Sequence, residues 1–278
     1  MSLFAMDRKT KKRLHLFVRI IGHHAAKCLG VSVGELADHA IAIMSQDQMS
    51  DLEILHMLVS LFSSTTHPPC KTRARSKLAK MKKELKIIGE SHPKMYLDIG
   101  CGSGEITEAV ANKLGIATAY ACDVMNITPG PTIHFSQCSE DCLLYKSNQF
   151  DLITMFMSAH HFTNVHALFR EARRVARRGA FLLMREHGVA DTCYYDIIHA
   201  LYSCTNIHSN RATTGSTPEK FLQEYTRPEK YAHYNTMHGW INIAARHGFF
   251  LVVQPHVDKQ DLLFDSVNML FQLNKKKR

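Results

Sequence analysis

The segment Met95-Tyr-Leu-Asp-Ile-Gly-Cys-Gly-Ser-Gly-Glu105 decides the fold of this chain. Its apolar start predicts a short buried strand that ends at Asp98, and a helical pattern begins at Glu105. Three glycines alternate with other residues between these two elements: Gly100, Gly102 and Gly104. Glycine lets the backbone turn sharply and lets a ligand approach the main chain. Such a turn is typical of the nucleotide-binding corner of a doubly wound α/β domain.

A second strand is predicted from Ala117 to Cys122, and it ends at Asp123. An acid about 20 residues beyond the glycines is well placed to accept hydrogen bonds from ribose hydroxyls. We expect the other acid, Asp98, to face the ligand, where a carboxylate suits an amine or a hydroxyl and repels a pyrophosphate. A structural turn in a dinucleotide-binding domain is the alternative interpretation of the glycines.

The first motif resembles that of the class I S-adenosylmethionine (SAM)-dependent methyltransferases, a hydrophobic strand followed by D-x-G-x-G-x-G, and all four positions match. The resemblance covers about residues 95–255 and implies that SAM is the cofactor. It also implies a set of cofactor-binding residues: Asp98, Gly100, Cys101, Gly102, Gly104, Asp123, Val124, Ser139, Glu140, Met155 and Met157.

A fourth strand, Gln149 to Met157, is followed by Ser158-Ala-His-His161, which resembles the fourth motif of the same family. The resemblance implies that His160 and His161 lie near the transferred methyl group. Strand five, Ala180 to Met184, ends in Arg185-Glu-His187, and such strand ends face the ligand crevice. The candidate catalytic residues are therefore His160, His161, Glu186 and His187. As the alternative, one histidine caps the following helix and the other packs in the core.

The remaining patterns complete the predicted architecture. Residues 1–94 form a helical extension or lid, and residues 95–278 form the methyltransferase domain. This domain is a doubly wound, seven-stranded, mostly parallel sheet, closed by an antiparallel hairpin of 249–253 and 266–273. A helix is predicted from Val165 to Arg178, with Gly179 as its end.

The chain is basic, with a formal charge of +9 and a pI near 9.1. Such a surplus suggests a polyanionic partner. A long helix predicted from Lys71 to Ile88 carries eight Lys or Arg side chains against one acid, Glu84. We expect the first residues of this helix to contact phosphates. Two tyrosines further along the chain, Tyr194 and Tyr195, either bind an aromatic ring of the substrate or lie in the core. These candidate substrate-binding residues are Lys71, Arg73, Arg75, Tyr194 and Tyr195.

These observations predict a SAM-dependent methyltransferase that acts on RNA, with the N7 atom of a cap guanine as one acceptor. A small-molecule N-, O- or C-methyltransferase is the main alternative, and a non-catalytic SAM-binding partner subunit is another. No apolar run reaches the length of a membrane span, and no metal-binding spacing of Cys or His is visible. The eight cysteines lack paired spacing, which favours reduced thiols in a cytoplasmic or nuclear protein. The sequence leaves the oligomeric state open.

Overall fold

The computed structural model describes residues 3–22, 26–27, 29–62, 73–139, 141–188, 192–204, 217–225, 233–257 and 266–274. The chain forms two compact units. One comprises Met1–Cys70 and Asp191–Tyr231, and the other comprises Lys71–Ala190 and Ala232–Arg278. The first is called the helical unit below and the second the sheet unit.

The helices follow in chain order as α1 (Arg8–Ile21), α2 (Val33–Met44), α3 (Asp51–Phe62), α4 (Arg73–Lys80), α5 (Lys82–Glu90), α6 (Glu105–Leu114), α7 (Val165–Val175), α8 (Thr192–Cys204), α9 (Pro218–Tyr225) and α10 (Met237–Arg246). The strands are β1 (Tyr96–Ile99), β2 (Ala119–Asp123), β3 (Ile133–Gln137), β4 (Phe150–Phe156), β5 (Ala176–His187), β6 (Phe249–Leu251), β7 (His256–Val257) and β8 (Ser266–Leu273). None of the helices in the described ranges is both long and apolar enough to cross a membrane.

The strands of the sheet unit form one sheet in the order β3-β2-β1-β4-β5-β8-β6, and the two-residue β7 pairs with β8. Strands β1 to β5 are parallel, whereas β8 runs antiparallel to both β5 and β6. The predicted doubly wound, mostly parallel sheet with a terminal antiparallel hairpin is therefore confirmed. Its parallel strands bring the carboxyl ends of β1, β2, β4 and β5 to one edge, where the predicted site residues follow.

Both faces of this sheet are covered by helices, because the parallel strands are apolar on both sides. On one face, Met81, Leu85 and Ile88 pack with Tyr96 and with residues of α6. On the other face, apolar residues of β1 and β4 pack with α7 and with Trp240 of α10.

The prediction of one continuous helix from Lys71 to Ile88 was wrong. The helix is interrupted at Met81, whose backbone leaves helical values at φ −112° and ψ 18° and whose side chain is completely buried. The apolar residues Met81, Leu85 and Ile88 nevertheless form one buried stripe, as their spacing indicates. Apolar periodicity did not reveal the interruption because this stripe continues through it.

The predicted end of α7 at Gly179 was also wrong. The helix ends at Val175, and β5 begins at Ala176 because the chain there pairs with β4. Phe150 pairs with Ala176 but Leu152 pairs with Phe181, so 177–180 bulge out of the ladder. Gly179 takes a left-handed φ of 79° within this bulge. The glycine therefore allows a strand irregularity rather than the end of a helix.

The helical character predicted for the N-terminal extension is confirmed. Ser50 and Glu53 form a capping box at the start of α3, in which each side chain accepts a hydrogen bond from the backbone N–H of the other residue. The helical unit combines α1, α2 and α3 with α8 and α9, which come from the connection after β5. In contrast, α4 and α5 belong to the sheet unit. The division after residue 94 and the role of the extension as a lid stay predictions.

Candidate active site

The glycine loop after β1 has the backbone that its sequence demands. Gly100, Gly102 and Gly104 all have left-handed φ values, at 73°, 55° and 76°. A β-carbon on Gly100 would lie 2.4 Å from Cβ of Ser158, whereas one on Gly102 would meet nothing within 4 Å. Gly104 is the N-cap of α6. The loop therefore packs tightly against the sheet at one end and leaves its main chain open in the middle.

Asp98 does not face the ligand side of this loop, so that expectation was wrong. Its side chain is only 2% exposed, and its two oxygens accept hydrogen bonds from the hydroxyls of Thr107 and Thr154. The Tyr96 hydroxyl is bonded in turn to that of Thr154. Burial raises the pKa of Asp98 to about 6, against the effect of the two threonine hydroxyls. The carboxylate thus joins β1, β4 and α6 beneath the loop.

Asp123 lies beside the loop at the end of β2, as the sequence predicted. Its Oδ2 accepts a hydrogen bond of 2.9 Å from the N–H of Gly102, and its Oδ1 accepts one of 3.1 Å from Met125. A carboxylate oxygen has two acceptor positions, so each oxygen retains one for a ribose hydroxyl. The loop itself is fixed to β2 because the N–H groups of Gly100 and Cys101 both donate to the Cys122 carbonyl.

Glu186, at the end of β5, organises the turn that follows β4. Its Oε1 accepts hydrogen bonds from the N–H groups of Ser158 and Ala159, at 2.9 and 2.7 Å. Its Oε2 lies 2.6 Å from Nδ1 of His160. The carboxylate is completely buried, which raises its pKa, while His187 and the Ala159 N–H lower it. Glu186 therefore positions His160 through three hydrogen bonds to one turn.

Aromatic rings surround His160. The His161 and His187 rings lie 4.1 and 4.9 Å from it between centroids, and Tyr234 stacks on it at 5.5 Å with an angle of 20°. The indole N–H of Trp240 donates to the His187 carbonyl at 3.1 Å. The four predicted catalytic residues are thus brought together, and their catalytic roles stay predictions. Sequence reasoning missed Tyr234 because it follows a long connection and belongs to no motif.

Met157 marks the entrance to the same turn. Its φ of 56° is left-handed, which is uncommon for a residue other than glycine. Its N–H donates to the Arg185 carbonyl at 2.7 Å, which holds it against β5. Such backbone outliers cluster at functional sites, where the surroundings overdetermine them. The geometry is compatible with the predicted role of Met157 at the cofactor.

Other predicted cofactor residues occupy different positions. Met155 is completely buried in the core on the α7 side of the sheet, so its side chain does not border the crevice. Val124 is 49% exposed directly after Asp123, and the hydroxyl of Ser139 donates to Asp141. Burial raises the pKa of the Cys101 thiol. Glu140 lies outside the described residues.

The predicted substrate-binding residues are separated by the structure. Tyr194 and Tyr195 are fully buried in the helical unit, where the Arg13 guanidinium lies 4.0 Å from the Tyr194 ring centroid. They belong to its core, so the prediction of a ring-binding surface was wrong. Arg75 is exposed on α4. Lys71 and the side chain of Arg73 lie outside the described part of the chain.

A family model for a methyltransferase domain matches residues 71–254. No curated protein matches the chain at a significant level. Solved structures resemble the chain at low identity. A proposed sarcosine dimethylglycine methyltransferase from Galdieria sulphuraria is 14% identical with a TM-score of 0.49, over 73% of this chain and 87% of that one. SAM-dependent methyltransferases from Mesorhizobium loti and Aquifex aeolicus are 13% and 14% identical, both with TM-scores of 0.46, over 69% and 81% of this chain and 97% and 100% of theirs.

The residues at the edge of the sheet fit a SAM molecule. The open main chain at Gly102 gives a ligand close access to the loop, and Asp123 offers its remaining acceptor positions beside it. The matched residues cover most of the sheet unit, including both the loop and the turn that carries His160. The chain therefore belongs to the methyltransferase-domain family, as an enzyme that uses S-adenosylmethionine as its methyl donor.

Proposed function

We propose that the methyl acceptor is RNA, with the N7 atom of a cap guanine as the acceptor atom. The observation that carries the proposal is the positive charge of the protein, which is +9 over 278 residues. RNA presents one phosphate per nucleotide, and its binding by Lys and Arg side chains releases counterions. An acceptor with many phosphates would make use of this charge, whereas a small neutral acceptor would not.

Exposed cations lie on several elements of the sheet unit. Lys82, Lys83 and Lys86 are exposed on α5, and Arg170 and Arg173 are exposed on α7. Such side chains bind phosphate as point charges or as planar forks, and they fix the position of a nucleic acid without reading its sequence. The predicted phosphate contacts of Lys71, Arg73 and Arg75 belong to the same proposal.

SAM supplies a methyl group that its sulfonium already activates, so the protein mainly has to align the acceptor atom with it. Glu186 contributes by fixing the turn of Ser158 and Ala159 and the orientation of His160. Because an ionised carboxylate only accepts hydrogen bonds, it keeps the imidazole proton on Nδ1. Nε2 of His160 is then the basic nitrogen. It would take the proton of an acceptor that carries one, and guanine N7 carries none.

A small-molecule acceptor is the second candidate, and the buried pair of His160 and Glu186 favours it. A carboxylate that holds a histidine in one tautomer is the arrangement of general-base catalysis, which contributes about 10²–10⁴-fold to rate. A hydroxyl or protonated amine acceptor would need such a base. The two candidates therefore differ in whether removal of the base slows the reaction.

The test is transfer of a labelled methyl group from SAM to guanosine-capped RNA, to the same RNA without a cap, and to small hydroxyl and amine acceptors. We expect transfer to capped RNA alone. No transfer to either RNA by protein that binds SAM would overturn the proposal. Transfer to a small acceptor instead would establish the second candidate.

Glu186→Gln separates the two chemistries. The glutamine carbonyl can still accept from Ser158 and Ala159, but its amide donates to Nδ1 of His160 and moves the ring proton to Nε2. We expect the variant to keep kcat for an N7 acceptor within about threefold. For an acceptor that must lose a proton, kcat falls by about 10²-fold or more with little change in KM. SAM affinity and the unfolding midpoint serve as controls for the integrity of the turn.

A further inference from the structure

The helical unit contains a basic groove along α1. The groove has a volume of about 610 Å³, and four cations line it: Lys9, Lys12, Arg13 and Arg19. Leu16 and Val33 also border it. Lys9, Lys12 and Arg19 are exposed, so their charged groups reach solvent.

Helix α1 contains six Lys or Arg residues and no acid over Arg8–Ile21. Two acids near the groove, Asp7 and Asp38, take part in hydrogen bonds. Asp7 is the N-cap of α1 and accepts from the N–H of Thr10 at 2.7 Å. Asp38 lies 2.9 Å from Nε2 of His15, which also lines the groove. The four lining cations outnumber these two acids, so the groove has a net positive charge.

Arg13 is held in place by core residues of the same unit. Its guanidinium lies 4.0 Å from the Tyr194 ring centroid and 5.8 Å from that of Tyr195. Both tyrosines are completely buried in α8. Arg13 therefore packs against the core of the unit, and Lys9, Lys12 and Arg19 are the groove cations exposed to solvent.

The length of α1 fits an extended polyanion, and the burial of its apolar side argues against membrane insertion. Lys9 and Arg19 are ten residues apart, which is about 15 Å along a helix, so neighbouring phosphates of one extended strand can reach both ends of the groove. A helix that inserts into a membrane needs an exposed apolar face, whereas a helix held at the surface by charge alone does not. Leu14, Phe17 and Val18 form that face of α1, and all three are completely buried in the helical unit.

We propose that this α1 groove binds the phosphodiester backbone of a single-stranded RNA. The inference rests on the proposed RNA acceptor and adds the surface that holds it. Lys9, Lys12 and Arg19 each contact a phosphate, so the groove contributes about 2 to the negative slope of log K against log salt, at about 0.7 per contact.

The test measures binding of the full chain to a fluorescein-labelled, uncapped 20-nucleotide RNA by anisotropy over a series of salt concentrations, without SAM. The groove variant carries Lys9→Gln, Lys12→Gln and Arg19→Gln, three exposed changes to a good helix former. The matched control carries Lys113→Gln, Lys146→Gln and Arg246→Gln, which are exposed cations of the sheet unit. A charge-retaining variant, Lys9→Arg with Lys12→Arg and Arg19→Lys, controls for helix integrity.

We expect the groove variant to lose about 2 from the slope and roughly 100-fold in affinity at 0.1 M salt. The matched control and the charge-retaining variant should keep the slope of the unmodified chain. A groove variant that keeps that slope, or a matched control that loses as much, would overturn the proposal. Binding to phosphatidylserine vesicles with the same sensitivity to the groove substitutions would overturn the assignment to RNA.

An assay of methyl transfer distinguishes a failure of the groove proposal from a failure of the proposed RNA acceptor. If the chain methylates capped RNA and the groove variant keeps its KM and its salt slope, the groove is wrong and the RNA acceptor stands. If RNA binds through the groove and receives no methyl group, the acceptor is wrong and the groove stands.

Discussion

Replacing Asp98 by asparagine tests whether a buried carboxylate lies beneath the glycine loop. Burial raises the pKa of Asp98 from 3.8 to about 6 in the folded protein. A difference of about 2.2 pH units corresponds to about 3 kcal/mol. Because the folded pKa is the higher one, this carboxyl group contributes most to stability below pH 3.8. Its contribution falls as the pH rises through 6 and is constant above that.

The size of the effect follows from the two pKa values. Relative to the protonated state, the ionising carboxyl destabilises the fold by about 0.6 kcal/mol at pH 4 and by about 2.9 kcal/mol at pH 7. Asparagine does not titrate, so the unfolding free energy of the variant protein does not decrease in this way as the pH rises. We therefore expect the stability of Asp98→Asn relative to the unmodified chain to rise by about 2.3 kcal/mol between pH 4 and pH 7.

Urea unfolding of both proteins at pH 4, 5, 6 and 7 measures this rise as a change in the difference between their unfolding free energies. Asp141→Asn is the matched control, because it removes an exposed carboxyl of the same unit. The two pKa values determine how the difference in unfolding free energy between the two proteins changes with pH, and they do not determine its absolute value. A difference that stays level or falls with pH would refute the raised pKa of Asp98, and with it the dominance of burial over the two threonine hydrogen bonds.

Two further changes test the packing around the site. Gly100→Ala should cost at least about 1 kcal/mol more stability than Gly115→Ala in chemical unfolding, because both need a left-handed φ but only the first meets Cβ of Ser158, at 2.4 Å. Equal costs would show that the loop can move away from the turn. Arg174→Lys should cost about 1 kcal/mol, because lysine cannot keep both bonds to Glu171, at 2.7 and 2.8 Å, together with those to two carbonyls of 143–145. An unchanged unfolding midpoint would contradict that role.

Local backbone requirements made part of the site predictable. The left-handed conformation of Gly100, Gly102 and Gly104 leaves few other residues possible, so the loop could be read from spacing alone. The position of Asp123 was equally predictable, because this residue ends the next parallel strand and parallel strands end at one edge of the sheet. These predictions needed no knowledge of which side chains meet across the fold.

The errors have a common cause in contacts between distant residues. The orientation of Asp98 depends on Thr107 and Thr154, which come from α6 and β4 and meet it only in the folded chain. Met155 follows Thr154 directly, and alternation along a strand therefore turns it to the opposite face. Once Thr154 is known to face Asp98, the burial of Met155 on the α7 side follows. Tyr194 and Tyr195 carried no comparable signal, because aromatic residues suit both a core and a stacking surface.

The glycine loop and the turn that carries His160 form a single packed unit. The Ser158 hydroxyl donates to the Ile99 carbonyl at 2.8 Å, just before the loop, and its β-carbon occupies the space that a side chain on Gly100 would need. Glu186 holds the same serine through its N–H, and holds His160 through its other oxygen. A shift of the loop by a few tenths of an ångström would therefore move Ser158 and the histidine with it. The absence of a β-carbon at Gly100 thus serves the position of His160 as well as the turn of the loop itself.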